Sequence, residues 1–391
     1  MAPKRNEVSS IYIPDDISFS ILSKLSVKSL YRFSSVCKSW NHLFQNPNFI
    51  DMFRKNLISK SHSLYDENDV CLILHQSVLL PPEYHLNWYL FSGDKFQNKL
   101  KLNFASPFNM ALRNGVAVIR ILGSAINGTL CVYSYNNLNE EINAVLWNLA
   151  TEEIKVIPHS LATITNSNNV VAYFIHHGFG YDHIRDDYKV IHHVNYHNYH
   201  DNDDAWPPFW EIYSLKSNSW RKLGFDMPTR YRRTNGYVYM NGVCHWLGET
   251  IDETCVTIDE KCVVSFNLSN EVFIITPLPP DCFDVNLVVL NGSFTLISNY
   301  KKTESFHISI LGEFGVKESW VRLFDIGPLS CIDIPIGARK DTVFFKRKND
   351  ELVCFNLTTG MIEEIGVKGE KCWCQMIVYK ENLHPIEGMN N

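Results

Sequence analysis

The chain of 391 residues lacks the features that mark export, membrane insertion and most catalysis. No stretch reaches the ~18 uncharged apolar residues of a membrane span, and the best candidate, 115–135, is interrupted by Arg120. The opening residues MAPKRNEVSS contain no apolar signal region, and Lys4-Arg5 is too short to count as a nuclear signal. The expected location is cytoplasm, nucleus or both. There are eleven cysteines but no C-x-x-C pair, and Cys372-Trp373-Cys374 is spaced too closely for zinc. Reduced, mostly buried thiols are expected. There is no P-loop, no G-x-S-x-G elbow and no H-E-x-x-H. Gly178-Phe179-Gly180 begins like a dinucleotide fingerprint, but His183 stands where the third glycine belongs. These absences leave no catalytic residue, cofactor or metal to name. A net charge of −6 argues against general nucleic-acid binding.

What is present begins with helical periodicity between Ile13 and Phe44. Ile17, Ile21, Leu22 and Leu25 share one face of a first helix, with Asp15 and Asp16 in its first turn, where negative charge suits the helix dipole. Leu30, Phe33, Cys37, Trp40 and Phe44 continue the stripe along a second helical run, widened by Val36 and Leu43. Asn46 can cap, and Pro47 can open, a third helix carrying Phe49, Met52, Phe53 and Leu57. The spacing divides the chain into a flexible N-terminus (1–12), a helical module (13–58), a linker and start of a β domain (59–85), the β domain (86–382) and a tail (383–391). A helical unit below roughly 40 residues rarely buries enough surface to stand alone. The stripe must pack on another protein or on the rest of this chain.

Ile13-Pro14, Asp15-Asp16, Ile21-Leu22, Leu25-Ser26-Val27-Lys28-Ser29-Leu30 and Val36-Cys37-Lys38-Ser39-Trp40 resemble an F-box. That module docks the substrate receptor of an SCF ubiquitin ligase onto its Skp1 subunit. The resemblance implies docking through Pro14, Ile17, Ile21, Leu22, Leu25, Val27, Leu30, Val36, Cys37 and Trp40, with Trp40 as the anchor. Some of these must also hold the helices together. Ser26 departs from the family's proline; it can cap the helix locally, and somewhat weaker docking is expected.

Beyond residue 60 the vocabulary becomes all-β: aromatic and β-branched residues alternate with polar ones, and turns such as Asn127-Gly128, Asn241-Gly242 and Asn291-Gly292 recur. A degenerate hairpin repeats from Leu90, Trp147, Tyr213, Phe266, Ile310 and Phe355, at intervals of 44 to 66 residues. Four-stranded blades of ~40–50 residues with loop insertions would produce this spacing. The expected fold is an α-helical N-terminal module followed by a degenerate six-bladed β-propeller; a stacked or irregular β-sandwich is the alternative. Trp147, Trp220, Trp246 and Trp320, at repeated positions, are expected in blade cores or between blades. The sequons at Asn127, Asn267, Asn291 and Asn356 read as turn chemistry.

The repeat has neither the paired glycines of kelch blades nor the Trp-Asp ending of WD40 blades. It is similar to the F-box-associated domain (type 1, kelch-like) of large plant F-box families. The matching pieces include the segments 123–130 and 147–151, Gly178-Phe179-Gly180-Tyr181-Asp182, Asp186-Asp187-Tyr188-Lys189-Val190, 239–246 and 264–268. The resemblance implies that the β domain recognises a substrate without saying which.

Seven histidines lie between His176 and His200, followed by Asp201, Asp203 and Asp204. A metal reading needs preorganised geometry, and the stretch from His192 to Asp204 reads instead as an inserted turn. Arg230, Arg232 and Arg233 form a small basic run, and 249–260 an acidic one; solvated loops are the ordinary reading of both. Insertions in repeat scaffolds often form binding faces, so His193, His197, His200, Arg230, Arg232 and Arg233 are retained as substrate-binding candidates. The function expected is that of an SCF substrate receptor, not itself an enzyme. It would bind a Skp1-like protein, through it a cullin, and a target protein, but no nucleic acid or membrane. The competing readings are a β-propeller metal-dependent hydrolase with a helical cap, and a Skp1-binding protein with no role in degradation.

Overall fold

The computed structural model describes residues 13–34, 36, 40, 42–59, 70–80, 83–93, 96, 98–102, 117–136, 143–160, 162, 170–198, 207–225, 229–231, 236–250, 260–280, 282–300, 303–369 and 373–386. Helices are few and N-terminal: α1 (Asp15–Leu22), α2 (Val27–Ser34), a 3-10 turn (Leu43–Gln45) and α3 (Pro47–Ser59). The hydroxyl of Ser26 accepts the Ser29 amide at 3.3 Å and so caps α2. Asn46 Oδ1 accepts the amides of Asn48 and Phe49 at 3.0 and 3.3 Å, and Pro47 opens α3. The second helical run expected from periodicity is interrupted: α2 stops at Ser34, and Phe44 sits in the separate 3-10 turn. The Ser34 hydroxyl turns back to donate to the Tyr31 carbonyl, a local bond that competes with the helical ladder.

Six antiparallel sheets follow, each one blade of a propeller. Blade one holds β1 (Val70–Leu80), β2 (Glu83–Ser92), β3 (Asn98–Leu102) and, as its first strand, β25 (Trp373–Lys380). Blade two is β4 (Ala117–Ile121), β5 (Thr129–Asn136), β6 (Asn143–Asn148) and β7 (Glu153–Val156). Blade three is β8 (Val170–Asp182), β9 (Asp187–Asn198), β10 (Phe209–Ser214) and β11 (Ser219–Lys222). Blade four splits its first strand into β12 (Thr229–Tyr231) and β13 (Tyr237–Met240), before β14 (Val243–Thr250), β15 (Lys261–Asn267) and β16 (Phe273–Pro277). Blade five is β17 (Phe283–Leu290), β18 (Ser293–Tyr300), β19 (Ser305–Leu311) and β20 (Trp320–Ile326). Blade six is β21 (Ile332–Arg339), β22 (Thr342–Arg347), β23 (Glu351–Asn356) and β24 (Ile362–Lys368).

The six repeated hairpins of the sequence are the outer strand pairs of the six blades. Asn127, Asn241 and Asn291 have φ of 49°, 51° and 49°, and each following glycine is also at positive φ, the geometry of the tight hairpin turns those pairs favour. The asparagines at the ends of β6, β15 and β23 cap the outer turns. Asn148, Asn267 and Asn356 each accept backbone amides two and three residues on, so the sequons at Asn267 and Asn356, like those at Asn127 and Asn291 in the hairpin turns, are turn chemistry. Trp147 and Trp246 are buried. Trp220 donates its indole N–H to the carbonyl of Pro158, in the link that leaves blade two, at 2.6 Å, and Trp320 to that of Pro277, the last residue of β16, at 3.0 Å. The apolar-proline endings of the repeat thus bind the next blade's tryptophan.

The ring is closed by β25, the last strand, which pairs with β1 from Val70↔Lys380 to Ser77↔Trp373. The propeller therefore begins at Val70, and a boundary at 86 falls within β2. Residue 382 and residues 383–386, the latter placed in the tail from sequence, are pinned to blade two. Asn148 Nδ2 donates to the carbonyls of Asn382 and His384, both at 2.9 Å, the Ile386 amide donates to Glu153, and the Ile386 side chain is buried. Each blade is a meander, so its first-to-second and third-to-fourth turns lie on one side of the ring. Its second-to-third turn and the link to the next blade lie on the other.

Candidate functional site

The helical module has two apolar faces. The inward one is a core shared with blade five: Leu22, Val27, Leu30, Phe49 and Phe53 bury with Ile310 of β19 and Leu323 of β20. Each such side chain contributes roughly 1.5–3 kcal/mol relative to exposure. The approach is close. A Cβ on Gly312 would lie 3.1 Å from Val27 Cγ1. Arg32 pairs with Glu313 at 3.7 Å, and the Arg54 guanidinium lies 5.3 Å from the centre of the Phe324 ring. Gly312 and Glu313 belong to the third-to-fourth turn of blade five, which fixes the side of the ring on which the module sits.

The outward face is exposed. Ile17 and Ile21 keep 49% and 57% of their surface and Val36 keeps 66%, joined by Pro14, Ile13 and the partly covered Phe33. Ile17 and Ile21 are four residues apart and lie one turn over the other on α1. The ten residues assigned to docking from sequence therefore divide. Pro14, Ile17, Ile21 and Val36 face outward; Leu22, Val27 and Leu30 are buried within this chain and present nothing to a partner in this arrangement; Leu25 and Trp40 are half-buried. Cys37 lies outside the described residues. Trp40, the expected anchor, packs beside Phe33 with ring centres 5.9 Å apart. Ile13 and Phe33 were missing from the expected set, although Ile13 opens its first motif.

The substrate-binding candidates do not form one site. His193 is on β9, its ring stacked on Trp210 at 4.7 Å and Nδ1 3.0 Å from Asn195 Nδ2. His197 and Arg230 fall in β9 and β12, but their side chains, and all of His200, Arg232 and Arg233, lie outside the described residues. The inserted turn expected from His192 starts too early: β9 runs to Asn198, and Val194 and Tyr196 alternate inward as a strand requires. His192 is a core residue, stacked on Trp220 at 3.8 Å and hydrogen-bonded to Glu211 at 2.8 Å. Burial lowers its pKa, against the opposing pull of Glu211. His176 packs near Tyr133, and His177 lies between Trp210 and Trp246; burial holds both well below the ordinary histidine range. Among the described residues, no group of three or more His, Cys, Asp or Glu is placed to hold a metal ion. None of the described helices is long and apolar enough to cross a membrane.

The Gly178–Asp182 and Asp186–Val190 motifs form a joint between blades three and four. Asp182, fully covered, accepts hydrogen bonds from Lys189 Nζ at 2.7 Å, from Arg185 Nη1 at 3.0 Å and from Ser269 of blade four. Burial pushes its carboxyl up, but these donors outweigh it and hold the group well below the usual carboxylate range. A Cβ at Gly180 would strike Leu268 and Tyr239 at 2.4 and 2.7 Å, so this close approach requires glycine.

One cavity of about 710 Å³ opens where the first strands end around the axis. Its rim is made by the turns at 127–128 and 291–292, the ends of β21 and β25, and the segment 381–384; Val289 and Val378 supply apolar surface. Arg339, Lys340, Lys380 and Glu381 are among its lining residues, and the Arg339 guanidinium lies 5.4 Å from the centre of the Phe96 ring. No signal in the sequence singled these cations out, because they come from strands some 40 residues apart that meet only in the closed ring.

The F-box associated beta propeller domain matches residues 119–385, and the F-box domain matches residues 12–51. The chain is 25% identical to the F-box protein CPR1 of Arabidopsis thaliana over 384 residues, covering 91% of this chain and 84% of that one. A second Arabidopsis F-box protein is 24% identical, over 88% of this chain and 83% of its own. An F-box/kelch-repeat protein of the same plant is 23% identical, over 89% and 88%.

Proposed function

Since the chain belongs to the F-box proteins with an F-box associated β-propeller, we propose that it is the substrate-recognition subunit of an SCF-type ubiquitin ligase. The observation that carries this is the outward apolar face of α1. A module already seated on its own propeller still exposes Ile13, Ile17, Ile21 and Val36, which is more apolar surface than one short helix normally leaves in water. A Skp1-like subunit would cover that face, and a cullin would follow through it. The propeller performs no bond chemistry. It holds a target at a fixed position relative to the docking face, raising the effective concentration of the target's lysines near the ubiquitin donor. Cytoplasmic or nuclear residence belongs to the same proposal.

A binding titration with a purified Skp1-like protein tests it. Wild type should bind, and the double variant Ile17→Asp/Ile21→Asp should lose about 30-fold or more in affinity, the loss of a ~2 kcal/mol hot spot, with its melting temperature unchanged. Failure of the wild type to bind overturns the proposal. Turnover of a captured target in a reconstituted ligase then separates it from a Skp1-binding role without degradation.

A further inference from the structure

We propose that Asn241 is a site of spontaneous modification: the main chain of its own hairpin turn converts its side-chain amide to a carboxylate, and this loosens the joint between blades three and four. The proposal is independent of any role in a ligase. The chemistry is intramolecular. The Gly242 nitrogen attacks Asn241 Cγ and loses its proton, the side-chain nitrogen departs as ammonia, and a cyclic imide closes. Water then opens the imide at either carbonyl. One opening gives aspartate. The other gives isoaspartate, whose main chain runs through the former side chain and is longer by a methylene. Glycine after the asparagine favours the attack, because no side chain crowds its nitrogen.

The chain supplies its own comparison, with three Asn-Gly turns at 127–128, 241–242 and 291–292. Backbone shape does not separate them: the asparagines have φ of 49°, 51° and 49°, and the glycines 74°, 81° and 73°. Their side chains do. Asn127 is hydrogen-bonded to the Tyr188 hydroxyl, and Asn382 lies over Gly128, where a Cβ would meet it at 2.7 Å. Asn291 Nδ2 donates to the Lys340 carbonyl at 3.1 Å. Asn241 is exposed, and among the described residues no hydrogen bond holds its side chain. A tethered amide must break its bond before its carbon can turn to the attacking nitrogen; the Asn241 amide turns freely.

The proton also has a path. The Tyr239 hydroxyl accepts the Gly242 amide and lies 3.1 Å from Nε2 of His183, an exposed imidazole. The hydroxyl thus connects the attacking nitrogen to a base that titrates near neutral pH. The same hydroxyl donates to the Tyr181 carbonyl of blade three at 2.7 Å, and the Gly242 carbonyl accepts the Leu268 amide at 3.0 Å. A turn lengthened by a methylene cannot keep the Met240↔Val243 pairing together with these two bonds.

The test incubates the full chain at neutral pH and follows each asparagine by peptide mapping with mass spectrometry. In the folded chain Asn241 should convert about fivefold or more faster than Asn127 and Asn291, the factor that one hydrogen bond supplies. In urea the three rates should converge, and His183→Gln should slow conversion at Asn241 alone. Aged wild type should melt at a lower temperature, and Asn241→Gly, which keeps a hairpin turn of Gly-Gly type, should not. Equal rates in the folded chain, a rate order that survives in urea, an unchanged Asn241 rate in His183→Gln, or the same melting loss in aged Asn241→Gly overturns the proposal.

Discussion

His75 has both ring nitrogens buried without a hydrogen-bond partner, its ring 4.3 Å from that of Trp88, and burial lowers its pKa to about 3. His245 is lowered likewise to about 3. An unfolded histidine takes up its proton near pH 6.5, so between that pH and about 3 the unfolded chain binds more protons than the folded one. Stability is therefore fully present above pH 6.5 and lost as pH falls, at ~1.4 kcal/mol per pH unit for each such group. The melting temperature should drop between pH 7 and pH 5, and His75→Phe should shallow that drop, as read by calorimetry across the range. An unchanged slope in the variant would show that His75 does not contribute. At this scale the sequence was legible in part. The aspartate and lysine of the Gly178–Val190 motifs stood out as family signatures, but their use as a buried ion pair joining two blades depends on Ser269 and Leu268, about 80 residues away. The clustered histidines read as a loop, although Val194 and Tyr196 alternate among them as a strand requires.

Among elements, α1 and α2 matter most because they bear two apolar faces. Periodicity located α1, the start of α2 and the Asn46-Pro47 opening of α3, but the single second run it implied breaks after Ser34. It could not divide the stripe, because isoleucine and leucine are equally at home against blade five or against a partner. The division yields opposite expectations for neighbouring residues. Leu30→Ala should cost ~2–5 kcal/mol through the cavity it leaves and should raise amide exchange throughout α1–α3. Ile21→Ala, on the exposed face, should change stability by no more than ~0.5 kcal/mol. Equal effects in denaturant titration and hydrogen exchange would refute the two-faced description.

For the whole molecule, the blade count could be read from six outer hairpins, since their turn residues and proline endings are local signals. Closure could not, because β25 pairs with a strand at the other end of the chain. Removing residues 373–391 should therefore leave blade one without its first strand and abolish cooperative melting. Removing only 387–391 spares every pin of the clasp among the described residues, the last being Ile386, and should leave melting unchanged. A loss of folding in the shorter truncation would show that the clasp extends further than described.

That clasp also orders events in time. The helical module is synthesised first, the blade that seats it much later, and the strand that closes the ring last, roughly 300 residues after β1. At ~5–20 residues per second the interval is ~15–60 s. Until blade five is made, the module's inward leucines have no wall to rest on. A message truncated between residues 60 and 373 would yield a chain bearing the helical module without a closed ring behind it. On the proposed ligase reading, that species would occupy the docking partner and deliver no target to it.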